Sequence, residues 1–188
     1  ELLTTMVTVD EQRELLAIAR EAIAGSLKRK PLRDLAQARG RLAEPGGAFV
    51  TIRIGDQLRG CIGYIESPLP LARVVAEVAV KAAREDPRFP PLTIEELDVA
   101  TLEVSVLSPM RPVKDVAEIH VGEHGLLLEL GWRRGLLLPQ VALEFGWGAR
   151  EFLEHTARKA GLHPNAWQDP NAKLYLFSAE VCHEELAH

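Results

Sequence analysis

The sequence predicts an α+β fold in which antiparallel hairpins are mixed with amphipathic helices. Three observations carry this expectation. Two β-patterned stretches double back across short turns, residues 48–63 around Gly55-Asp56 and residues 126–138 around 131–135. Other stretches repeat apolar residues at helical spacing. The two kinds of element do not alternate as βαβ units would. A chain of 188 residues, 47% of them hydrophobic, can bury a core without disulfides or metal.

Thr8-Val9-Asp10-Glu11 has the form of a capping box, with Thr8 as cap and Glu11 reaching back. Leu15, Leu16, Ile18, Ala19, Ala22 and Ile23 then follow a helical period, and Gly25 marks a stop. Lys28-Arg29-Lys30 reads as a solvated helix end. Pro31 opens a second helix-prone stretch, which Pro45-Gly46-Gly47 closes.

Residues 48–54 alternate and are β-branched, Gly55-Asp56 is a two-residue hairpin turn, and 57–63 is the return strand. Pro70 sits in the first turn of a helix whose buried stripe is Leu71, Val74, Val75, Val78, Ala79 and Ala82. Asp86-Pro87 stops that helix. Thr93 and Glu96 cap one short turn before a strand at 99–107.

Pro109 and Pro112 mark a lobe boundary: a larger lobe of about 1–110 plus 149–188, and a smaller one of about 111–148. The smaller contains a loop at 122–125, the second hairpin, and a helix from Pro139 to near Gly146. A helix at 150–160 stopped by Gly161 and a last strand at 173–181 complete the chain.

The net charge of −5 argues against a dedicated nucleic-acid binder, which needs clustered Lys and Arg. No apolar run approaches the ~20 residues that span a bilayer. No CxxC pair, signal peptide or disulfide framework is visible, so Cys61 and Cys182 are expected to be free thiols in a reducing cytoplasm. Phosphate loops, dinucleotide fingerprints and serine-nucleophile elbows are also missing, and no cofactor is implied.

Alternation places Arg59 and Cys61 on one strand face and Leu58, Gly60 and Ile62 on the other. Gly60 and Gly63 inside a strand ask for a close backbone approach. A thiol beside a guanidinium favours thiolate, so Arg59 is expected to hold Cys61 below the ~8.5 of a free cysteine. Burial acts in the opposite direction. It wins if Arg59 points to water or is neutralised by a carboxylate such as Glu103, and Cys61 is then a small packed hydrophobe. Glu103 shares a strand face with Ser105, and either faces a site or faces water.

Arg88 is an anion binder or the partner of Asp86 or Glu85. His124, on a loop between Glu123 and Gly125, is a base near neutral pH or a solvated histidine. The His120–His124 spacing suits metal on a helix, but Val121, Gly122 and Gly125 argue against a helix there, so no metal site is expected. Trp132, Trp147, Trp167, Phe145, Phe152 and Tyr175 are expected in the core and hairpins, or stacked on a ligand.

Several segments, in order from about Leu15 to Glu180, resemble the AMMECR family, the first component of the AmmeMemoRadiSam gene system. They are Gly47-Ala48-Phe49-Val50-Thr51, Leu58-Arg59-Gly60-Cys61-Ile62-Gly63, Asp86-Pro87-Arg88-Phe89-Pro90-Pro91-Leu92-Thr93, Val104-Ser105-Val106-Leu107, Gly122-Glu123-His124-Gly125, and Leu138-Pro139-Gln140-Val141-Ala142 running to Gly146-Trp147. The resemblance implies two unequal α+β lobes, with mixed or antiparallel sheets, and the cysteine signature near a cleft between them. It also implies gene partnership with a Memo-type protein and a radical S-adenosylmethionine enzyme.

Activities suggested for the family range from enzymatic to nucleic-acid or regulatory-protein binding. As an enzyme acting on a small molecule or a protein, the chain would use Cys61 as nucleophile or redox group, Arg59 as its electrostatic partner and His124 as proton carrier. Gly60, Gly63, Arg88 and Glu103 would line the binding surface. The alternative is a non-catalytic adaptor that docks another component through the cleft.

Overall fold

The computed structural model describes residues 6–185. Helices and antiparallel strands build an α+β fold, and the chain divides into two compact units, Glu1–Leu107 with Glu180–His188, and Ser108–Ala179.

In the first unit, helix α1 spans Val9–Leu27, opened by the Thr8–Glu11 capping box. It runs two residues past Gly25, to Leu27, which still packs against the core that Ile18, Ala22 and Ile23 enter. The stretch after Pro31 is not a second helix. It makes only a short 3-10 turn at Gly40–Ala43, and Arg33 ties it to Glu14 and Glu21 on α1. Leu42 is buried and Leu35 and Ala38 pack against the same core without a regular helix between them.

Strands β1 (Ala48–Ile54) and β2 (Gln57–Tyr64) form the expected hairpin, with Gly55 at φ +62° in its turn. β3 (Ala100–Leu107) pairs antiparallel on the other side of β1. Helix α2 (Leu71–Arg84) buries Leu71, Val74, Val75, Val78, Ala79 and Ala82 against α1 and one face of these strands. Each such Val or Leu contributes about 1.5–3 kcal/mol by leaving water. A six-residue helix α3, Ile94–Val99, is capped by Thr93 and Glu96 and leads into β3.

In the second unit, β4 (Arg111–Pro112), β5 (His124–Leu130), β6 (Arg133–Leu137) and β7 (Lys173–His183, of which 173–179 belong here) pair antiparallel in the order β4-β7-β5-β6. The hairpin turn is only Gly131-Trp132, because Arg133 and Arg134 already pair across β5. Helix α4 spans Pro139–Phe145 and ends at left-handed Gly146, φ +67°. Helix α5 spans Ala149–Lys159.

At Gly135 a Cβ would lie 2.5 Å from the Ala160 nitrogen, so α5 and β6 meet backbone to backbone. Phe152 and Leu153 of α5 join Leu126, Ala142 and Leu176 in this unit's core. That packing is why residues 149–179 group with the second hairpin rather than with the preceding lobe.

Candidate functional site

The site centres on Cys61. A Cβ at Gly60 would sit 2.2 Å from the Ala82 carbonyl oxygen of α2, so Gly60 is required where β2 lies on the helix. Alternation then turns Cys61 to the strand face away from α2. Directly opposed residues share a face, and the register aligns Cys61 with Thr51 and Thr51 with Glu103. A thiol, a hydroxyl and a carboxylate thus occupy one row across β2, β1 and β3, spaced by the ~4.8 Å of neighbouring strands. Thr51 is buried, and its Oγ1 lies 3.3 Å from Cys61 Sγ. The next row is Gly63, Phe49 and Ser105. Gly63 lacks a Cβ because the Phe49 ring occupies that space, at 2.3 Å.

Asp86 anchors the segment after α2 to this site. The Cys61 N–H donates to its Oδ2 at 3.0 Å. Arg88 donates to the same carboxylate from its backbone N–H and Nε, each at 3.0 Å, and from Nη2 at 2.8 Å. Those bonds hold the Asp86 carboxyl down at about 2, with the Arg88 side chain the largest cause and burial opposing it.

Arg59 does not serve the thiol. Its Nε and Nη2 donate to both Glu96 oxygens, at 2.7 and 3.0 Å, and it is largely buried. Glu96 neutralises Arg59 in the way expected of Glu103. The same residue closes the capping box of α3, and its carboxyl is held below the usual range chiefly by Arg59. Two guanidiniums approach the Phe89 ring, Arg59 at 5.7 Å and Arg88 at 5.4 Å from its centroid.

Cys61 therefore departs from the expected direction. Burial pushes its thiol up; the Thr51 hydrogen bond and the Arg88 charge pull it back in part, and Asp86 and Glu103 add to the rise. The neutral thiol is the resting form at pH 7. Cys182 is also free, and burial pushes it up to about 11.

His124 lies in the second unit, where it opens β5 rather than sitting in a loop. Its Nδ1 accepts the His120 N–H at 3.0 Å, and burial followed by the His120 charge lowers its pKa, which favours the neutral ring. Gly125 beside it is explained by packing, since a Cβ would strike the Phe177 ring at 2.2 Å. Among the described residues, no group of three His, Cys, Asp or Glu side chains is placed to hold a metal ion. Nor is any helix among them long and apolar enough to cross a membrane.

The structure thus brings together Cys61, Thr51, Asp86, Arg88 and Glu103, and separately Arg59 with Glu96. Hairpin pairing counted out from Gly55-Asp56 would set Thr51 opposite Gly60; the irregularity between Ile52 and Arg53 shifts the register by one residue and brings Cys61 there instead, so the pair is not legible in the sequence. Asp86 reads from the sequence only as a helix stop or a salt-bridge partner, with nothing to link it to the Cys61 backbone.

Comparison with known proteins places this arrangement. The AMMECR1 family profile matches residues 16–182. A protein of Methanothermobacter thermautotrophicus is 48% identical over 183 residues, covering 94% of this chain and 95% of the relative. A protein of Methanopyrus kandleri, MK0488, is 42% identical over 95% of this chain and 91% of its own length. The crystal structure of the uncharacterized protein PH0010 from Pyrococcus horikoshii superposes with a TM-score of 0.90 at 39% identity, over 96% of this chain and 94% of that one. The chain belongs to the AMMECR1 family.

Proposed function

We propose that this chain is an enzyme that modifies a small molecule or a protein group through the Cys61 thiol. The observation that carries the proposal is the buried Thr51 hydroxyl 3.3 Å from Cys61 Sγ, in a row that ends at Glu103. A thiol held neutral at rest needs a path for its proton when it attacks. Thr51 can take that proton while passing its own toward the Glu103 carboxylate. Arg88, half-exposed beside the thiol, supplies positive charge where the thiolate forms. The Memo-type protein and radical S-adenosylmethionine enzyme implied by the family resemblance are its proposed partners.

The test is untargeted metabolite profiling of cell extract incubated with the chain and those two proteins, read against Cys61→Ser, Thr51→Val and Glu103→Gln. A product that disappears with Cys61→Ser, and forms about tenfold or more slowly in the other two, supports the proposal. Turnover unchanged in Cys61→Ser refutes it. The raised thiol pKa favours a second reading, a binding module in which Cys61 only packs. That reading expects ligand retention without turnover, undiminished by Cys61→Ser.

A further inference from the structure

The tip of the second hairpin presents a feature that the Cys61 site does not use. Trp132 is 84% exposed, where its sequence context predicts packing in a hairpin or core. An indole left in water contributes little burial to its own fold. It is nevertheless held in place. Gly131, at φ +62°, forms the tight turn. The Arg133 guanidinium lies 4.6 Å from the Trp132 ring centroid, and its Nη1 donates to the Gly161 carbonyl at 3.0 Å, just past the end of α5. One side of the indole is thus backed by a fixed cation, and the rest of the ring remains open.

Arg134 follows in the strand, and Arg158 and Lys159 form the last turn of α5, the helix to whose end Arg133 is tied. Arg158 and Lys159 complement the helix dipole, but that role asks nothing of Trp132. Glu129 pairs with Arg134 at 3.0 Å, which leaves Arg133 as the cation at the ring.

We propose that this tip docks an acidic segment of a partner protein that carries an apolar side chain for Trp132. The charge is complementary. A pre-ordered Trp backed by Arg133, whose guanidinium donates to a carbonyl rather than to a carboxylate, also has the composition of a protein-interface hot spot. A nucleic-acid track would need several stacking rings and many phosphate contacts, whereas the tip offers one ring on a chain of net charge −5.

The test is fluorescence anisotropy of a labelled short peptide of alternating glutamate and leucine, titrated with the intact chain. Oligothymidylate and phosphatidylserine vesicles are parallel ligands. Saturable peptide binding is expected, weakened about tenfold by Trp132→Ala and by Arg133→Ala, and retained by Trp132→Phe. Trp132→Ala should leave the circular dichroism spectrum and melting temperature unchanged, because the side chain is exposed. The proposal is overturned if the peptide does not bind, if both alanine variants bind it undiminished, or if oligothymidylate or vesicles bind preferentially through Trp132.

Discussion

Cys61 shows how a local motif and its surroundings can point in opposite directions. Two residues apart on one strand, Arg59 and Cys61 suggest an activated thiolate, yet Glu96 takes the guanidinium and burial governs the thiol. The sign follows directly. An acid whose pKa is raised stays protonated to higher pH, so the reactive thiolate appears only above the ordinary ~8.5. In a Cys182→Ser background, iodoacetamide should label Cys61 slowly at neutral pH and faster as pH rises past that value. Arg88→Gln should move the profile to still higher pH, because Arg88 is the cation that steadies the thiolate. Arg59→Ala should leave it in place. Rapid labelling at pH 7 that slows on Arg59→Ala would restore the activated-thiolate view and refute this assignment.

Among the elements, the β1–β2 hairpin and α2 decide whether the site exists, because Gly60 is where they touch. A methyl there must displace the Ala82 carbonyl of a packed helix, since the helix backbone cannot give way locally. Gly60→Ala should therefore cost about 3 kcal/mol or more. Gly55 makes the useful contrast. Its φ is +62° and a methyl there would meet nothing within 4 Å, so Gly55→Ala should cost only the left-handed strain, about 1 kcal/mol. Urea unfolding of the two variants checks the order, and equal losses would contradict close packing at Gly60.

For the whole molecule, stability in acid should record the Asp86 cluster. Its carboxyl falls from an ordinary 3.8 to about 2 on folding. A depressed carboxylate contributes stability that is fully present above the unfolded value and is lost as pH falls through the folded one. The contribution is about 1–2 kcal/mol once the solvent exposure of Arg88 is allowed for. Unfolding midpoints measured between about pH 5 and 2 should fall with acid, and Asp86→Asn should flatten that fall. An unchanged slope in the variant would mean that the carboxylate is not held as the geometry requires.

What the sequence determined by itself was local. Capping boxes at Thr8 and Thr93, the hairpin around Gly55-Asp56, the α2 stripe and the family signature were all legible. Each depends on hydrogen bonds or side-chain periods between near neighbours, and such information lies in adjacent letters. Partners distant in sequence were decided by tertiary structure. Arg59 meets Glu96 across 37 positions, and Cys61 meets Asp86 across 25. Helix α5 joins the second hairpin through the bare backbone at Gly135, and Trp132 stays in water. A charge or an indole is satisfied by whatever the folded chain brings within a few ångströms, and no local pattern records which group that will be.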